Sequence, residues 1–156
     1  MLLRFAVGGT FFSHGMQKVF GMWGGPGIGG FATSLESYGY QQATTLSWAG
    51  GIGEMIAGAF VVLGILTPFS AAGLLAIKIN AVLVKLGAGY FITTAAGTNA
   101  VEFDVVLGLA AAAIVLTGPG RIAFDNGRAW QRRPAWAVLA MVFGIALGVL
   151  VYLLMR

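Results

Sequence analysis

No charged side chain stands between Arg133 and Arg156. That run meets the ~20 residues a helix needs to cross a bilayer, and it commits the chain to a membrane. The rest of the sequence agrees. Only 9% of its 156 residues are charged, nine basic and five acidic, and mean hydropathy is +0.89. A soluble domain carries about a quarter charged residues, so this chain cannot clothe a water-facing surface. A soluble enzyme and a disordered tail are both excluded. The 25 glycines, with almost no Glu/Lys heptads, exclude a coiled coil. At ~20 residues per crossing, the length allows about five helices and one membrane domain.

Missing residue types remove further classes. Zero cysteines exclude disulfides, thiol catalysis, iron–sulfur clusters and most zinc sites, so no metal site is expected. One histidine argues against protein-ligated haem within a single chain. The pI near 9.9 comes from dispersed basic residues, which point to membrane topology and not to nucleic acid.

The expected fold is an all-α membrane bundle of four core helices plus a fifth, C-terminal transmembrane helix. The first span runs from Met1 to about Phe20 and is interrupted by Arg4, His14 and Lys18. It leads into Ser13-His14-Gly15 and a Trp/Gly loop with no small-residue cleavage site, so it reads as an uncleaved span and not a secretory leader. Residues from about 21 to 42 form a Gly-rich, aromatic connector, with a short interfacial helix over Ile28 to Tyr38. The second span runs from about Ala43 to Leu66. Thr67-Pro68 turns it tightly into a third, Pro68 to about Leu86. The fourth, about Ala100 to Thr117, stops at Gly118-Pro119-Gly120, and Pro134 opens the fifth. The division is a core over 1–125 followed by a basic loop and an added helix over 126–156.

Arg121, Arg128, Arg132 and Arg133 crowd one loop. The positive-inside rule puts it in the cytoplasm with Arg4, giving an inside N-terminus and an outside C-terminus. The same arginines could instead form an anionic-lipid patch. Asp125-Asn126-Gly127 reads as a turn whose Asp organises backbone amides. Gly25-Pro26-Gly27-Ile28-Gly29-Gly30 fits the spacing of a dinucleotide loop. It lacks the preceding strand, so it reads as a connector.

Glu54 is the residue hardest to explain structurally. It stands about eleven residues into the second span, on a face shared with Gly50, Gly51, Ala57 and Gly58. A small-residue stripe marks close helix packing, so Glu54 points into the bundle. A carboxylate at that depth is costly unless paired or protonated. Lys78, about ten residues into the antiparallel third span, is its expected partner and tuner. Lys85 follows two turns later, while His14 and Lys18 lie one turn apart on the first span. Glu102 and Asp104 open the fourth. Asn99 with Glu102 resembles a capping box, but Asp104 is rotated by about 200° from Glu102, so one cap cannot serve both. In this reading three lysines balance three acids in the outer half of the membrane. Two plainer readings stand beside it: Lys18 and Lys85 snorkel to the interface, or Glu54 and Lys78 form a purely structural buried pair.

The ordered motifs resemble the DoxX family of small bacterial integral membrane proteins. They are Arg4, His14-Gly15-Met16-Gln17-Lys18-Val19-Phe20, Gly53-Glu54, Leu63-Gly64-Ile65-Leu66-Thr67-Pro68, Ala71-Ala72, Glu102, Gly118-Pro119-Gly120-Arg121 and Phe124-Asp125. Lys78, where an apolar residue is expected, and the fifth helix depart from the pattern. The resemblance implies a four-helix membrane core and, in some members, association with quinone-linked oxidoreductases such as thiosulfate:quinone oxidoreductase or with redox-stress complexes.

The functional expectation joins the two lines. The chain is read as a membrane subunit of an oxidoreductase-linked system that binds a quinone or similar hydrophobic molecule between the first, second and fourth spans. Glu54 and His14 handle protons. His14, Lys18, Glu54, Lys78, Glu102 and Asp104 contact the ligand, and the Trp23–Phe31 loop covers the mouth. No covalent cofactor is expected, and electrons come from a protein partner. Membrane lipids and a second copy of the chain are further partners; nucleic acid is not. The alternatives are a non-catalytic scaffold subunit and a lipid or small-solute transporter, the latter weakened by the lack of an inverted repeat.

Overall fold

Glycine and proline divide the chain into helices. The computed structural model describes residues 1–92, 100–128 and 134–156, and every regular element among them is helical. Helix α1 (Leu2–Phe20) ends on Gly21, whose φ of 69° is the left-handed conformation that closes a helix. A single 3₁₀ turn (Met22–Gly24) leads to α2 (Gly27–Ser37), the short helix expected there. Helix α3 (Ala43–Leu63) ends on Gly64, φ 74°. Three residues later α4 (Thr67–Val84) begins, with proline in its first turn. Helix α5 (Glu102–Thr117) stops at Gly118, and α6 (Pro134–Met155) starts on proline.

Three of these helices, α3, α4 and α6, are long and apolar enough to cross a membrane. Helix α1 is interrupted by Arg4 and Lys18, and α5 has 16 residues with two acids in its first turn. These two run beside the three apolar helices, α1 along α3 and α5 along α4. The chain is therefore a membrane-integral helical bundle. Its polarity is inverted relative to a soluble protein: Leu109, Leu116, Val142 and Phe143 face outward, while Glu54, Lys78 and Asp104 are buried.

Two helix pairs approach within backbone contact. A Cβ at Gly58 would lie 2.6 Å from Phe12 N, and one at Gly8 would lie 2.6 Å from Gly58 O, so α1 and α3 meet through glycine. Helix α6 sits on α4 in the same way, since a Cβ at Gly144 would lie 2.6 Å from Ala72 O and one at Gly148 2.7 Å from Ala76 O. Small residues at crossings are how membrane helices gain dispersion contact where lipid offers no hydrophobic drive. Between the pairs lies a dry core of Phe11, Val61, Leu74, Ile114 and Val115.

A polar clasp locks one end of the bundle. Arg4 donates from Nη1 to Pro119 O at 2.5 Å and from Nη2 to Ile122 O at 2.6 Å. Asp125 accepts from Leu66 N (3.0 Å), Thr67 N (2.7 Å) and Thr67 Oγ1 (2.8 Å), so it caps α4 from the far end of the chain. The cap also holds Leu66 at φ 45°, a conformation that leucine adopts at a cost. Gly64 is obligatory here, because a side chain would run into Arg4 Nη1 and Ala123. Asp125 thus organises amides as expected, and they are those at the start of α4.

The opposite end is closed by the C-terminus. Arg156 Nε donates to Tyr38 O at 2.9 Å, and Gln41 N donates to Met155 O at 3.0 Å. The two chain ends therefore lie at opposite ends of the bundle, as an odd number of crossings requires.

Candidate functional site

Four helices deliver charged side chains to one region toward the α2 end. Lys18 comes from the last turn of α1, Glu54 from the middle of α3, Lys78 from α4, and Asp104 from the first turn of α5. Lys85, just past α4, joins them. Each carboxylate is claimed by lysine. Glu54 Oε2 meets Lys18 Nζ at 2.6 Å, and Asp104 takes Lys78 at 2.8 Å on one oxygen and Lys85 at 2.9 Å on the other.

This pairing corrects the sequence expectation. Lys78 does not partner Glu54. The glycines of the α1–α3 crossing bring Lys18 onto Glu54. Lys78 is drawn instead to Asp104, and its ammonium lies over the rings of Phe11 (5.3 Å) and Phe103 (5.7 Å). Lys85 is an ion-pair member, and not a purely snorkelling one. Glu102 stands apart: it is the first residue of α5, and its Oε2 accepts from Ile92 N at 3.1 Å. The expected capping box fails on this point, because Val101 is the N-cap; Asn99 itself, like Arg132 and Arg133, lies outside the described residues. With Glu102 turned away, three lysines face two carboxylates, so the cluster carries surplus positive charge.

Glu54 has no exposed surface, whereas 23% of the Lys18 side chain is exposed. Among the described residues, neither Glu54 oxygen receives a well-directed hydrogen bond: Oε2 is held by charge alone, and Oε1 is a buried acceptor with no donor. His14, half-buried on α1, packs its ring edge against Phe103 at 5.7 Å and lies within Coulombic range of Lys78, Glu54 and Lys18.

A cavity of about 430 Å³ adjoins this cluster, in the range of small-ligand sites. It lies between α2, α3, α4 and α6, on an α3 face about a quarter turn from Glu54. Between α1, α3 and α5 the contacts are the lysine–carboxylate pairs and the Phe11 and Phe103 rings beside Lys78. Gly50 and Gly53 of α3 open onto the cavity beside Glu54, and a Cβ at Gly53 would meet nothing within 4 Å. Phe31 of α2 belongs to both regions: its ring lines the cavity and lies 4.8 Å beneath Lys18 Nζ. The stretch expected to cover a mouth thus contributes a helix-borne aromatic wall. The cavity holds two polar side chains that sequence reasoning missed, Tyr40 and Asn80, whose hydroxyl and amide oxygen meet at 2.5 Å. Asn80 was detectable, because an amide within an apolar span is a flag in its own right.

The protein-family comparison matches the DoxX model to residues 1–86, more than half of the chain. The chain belongs to the DoxX family. No curated protein and no solved structure gives a significant match. The DoxX match takes in α1 to α4 and with them Arg4, His14, Lys18, Glu54 and Lys78. Glu102, Asp104 and the Gly118–Asp125 motifs lie beyond it, although Arg4 and Thr67 reach across to bind that segment.

Proposed function

We propose that this DoxX protein is a proton-handling membrane subunit of an oxidoreductase-linked system, and that it binds a quinone or similar hydrophobic carbonyl compound beside Glu54. One observation carries the reading. Glu54 is fully buried and paired to a single lysine, and among the described residues one of its oxygens has no donor. A buried acceptor left unsatisfied costs about 1–3 kcal/mol. A proton on that oxygen, or a hydroxyl donated by a ligand, removes the cost.

The surroundings support the same chemistry. Surplus lysine charge stabilises a ligand oxygen that becomes negative when it gives up its proton. His14 is the group whose ordinary titration range suits proton exchange near neutrality. Electrons come from a partner protein, since cysteine is absent from the sequence and histidine occurs once. The membrane is the bacterial plasma membrane, with the Arg4–Asp125 clasp on the cytoplasmic side.

Solvent extraction of protein purified from native membranes tests the reading. The expected result is close to one quinone per chain, reduced at least tenfold in Glu54→Gln. Recovery of bulk phospholipid alone from wild type overturns it. A second reading, a scaffold subunit, is favoured by the outward face of α1, where Ala6, Gly9, Thr10 and Ser13 present small side chains with open space over Gly9. Stoichiometric co-purification of a protein without quinone favours that reading.

A further inference from the structure

The cavity has a direction. Its inner part, at Ala57, Gly73 and Ile77, is apolar and lies toward the middle of the bundle. Its polar groups gather at the α2 end, where Tyr40, itself only 4% exposed, meets Asn80. Among the described residues, no ionised side chain lines it. An apolar depth with a polar opening toward one membrane surface is the polarity profile of an amphiphile lying in one leaflet.

The hydrogen bonds at the polar end are incomplete. Tyr40 Oη donates to Asn80 Oδ1 at 2.5 Å, which fixes the amide with its nitrogen toward α6. Asn80 Nδ2 then reaches Gly148 O at only 3.4 Å, a weak contact. An amide nitrogen carries two N–H groups, so among the described residues one donor is poorly used and the other has no acceptor. The Tyr40 oxygen also keeps lone pairs free. A pre-oriented donor at the end of an apolar cavity suits one kind of group: a neutral carbonyl oxygen, with the Tyr40 hydroxyl fixing the amide behind it.

We propose that Asn80, oriented by Tyr40, anchors a neutral, carbonyl-bearing amphiphile whose apolar body fills the cavity toward Gly73. This deepens the reading above and rests on it only in taking the ligand to be a hydrophobic carbonyl compound. Asn80 and Tyr40 become specificity residues at one end, and Phe31 stands between the cavity and Lys18. A ligand with an ionised head is disfavoured, because no ionised side chain among the described residues lines the cavity.

Calorimetry on the full chain in detergent micelles tests the proposal with three probes of similar length: undecyl methyl ketone, tridecane and dodecanoate. Wild type is expected to bind the ketone about tenfold more tightly than the alkane or the carboxylate, the scale of one added hydrogen bond. Asn80→Leu is expected to bring the ketone down to the level of the alkane. Tyr40→Phe, which keeps the ring, is expected to lose about half of that preference. Gly73→Leu places its side chain in open cavity space, since a Cβ there meets nothing within 4 Å, and it is expected to abolish binding of the ketone and alkane alike. Ser13→Ala, on the outward face of α1 and away from the cavity lining, is expected to keep ketone binding within twofold. Equal affinity for ketone and alkane in wild type overturns the proposal, as does tighter binding of dodecanoate. A preference that survives both Asn80→Leu and Tyr40→Phe overturns it too. Loss of ketone binding in Glu54→Gln alone moves the anchor to Glu54 and overturns the assignment to Asn80.

Discussion

Glu54 and Asp104 are both buried carboxylates, yet their environments differ enough to give opposite responses to neutralisation. Asp104 binds two lysines with side chains 9% and 19% exposed. Asp104→Asn leaves both ammonium groups without a counter-charge, and removing one partner of a buried pair costs about 3–5 kcal/mol. Glu54 binds one lysine with a partly exposed side chain that can turn outward. Glu54→Gln is therefore expected to cost no more than about a third of the Asp104→Asn loss, measured as the shift in thermal unfolding in detergent. A double-mutant cycle separates the pairings. Lys78 and Asp104 are expected to couple by at least about 1 kcal/mol, whereas Lys78 and Glu54 are expected to be additive within about 0.5 kcal/mol. Sequence reasoning placed Glu54 and Lys78 inside the bundle and Asp104 in the same polar cluster, because ionisable residues in apolar spans stand out. It paired them wrongly, because spacing along two helices gives depth but not which faces meet. The backbone approach of Gly8, Gly15, Gly51 and Gly58 decides that.

At the scale of helices, glycine and proline made the element order legible. The short helix over Gly27–Ser37, the α3–α4 turn and the stop at Gly118 follow local rules that need no tertiary information. The clasp was illegible, since Arg4, Gly64, Thr67, Pro119 and Asp125 are scattered over the sequence and meet only in space. Four of the motifs that carry the DoxX resemblance thus serve packing and not chemistry. Asp125→Ala removes three acceptor contacts from the start of α4 and is expected to cost about 2 kcal/mol, read as lost thermal stability with ligand binding retained in the folded fraction. The docking of α6 is tested separately. The chain has no cysteine, so Gln41→Cys with Met155→Cys forms a single reportable disulfide between the α2–α3 link and the end of α6. Adding Gly144→Leu forces α6 off the Ala72 backbone, and the cross-link yield is expected to fall at least fivefold. An unchanged yield would mean that α6 is held by something other than the small-residue contact.

For the molecule as a whole, the two closed ends define an axis: the Arg4–Asp125 clasp at one, and the α2 connector with Arg156 at the other. The charged cluster and the polar end of the cavity both lie toward the second. A cytoplasm-active reporter inserted after Asn126 is expected to be active, and the same reporter fused after Arg156 silent; the reverse pattern would place the cluster in the inner leaflet. The cavity itself was not readable from sequence. It arises where α2, α3, α4 and α6 diverge, and its walls are ordinary apolar residues and glycines, which carry no signal singly. The central claim is that Glu54 exchanges a proton with a carbonyl ligand. Infrared difference spectroscopy on protein loaded with a short-chain benzoquinone, cycled electrochemically between quinone and quinol, tests this most directly. The account predicts a change in the carboxylic-acid C=O stretching region that is present in wild type, retained in Asp104→Asn and absent in Glu54→Gln. A spectrum with no carboxyl change in wild type, or one that survives in Glu54→Gln, would contradict it.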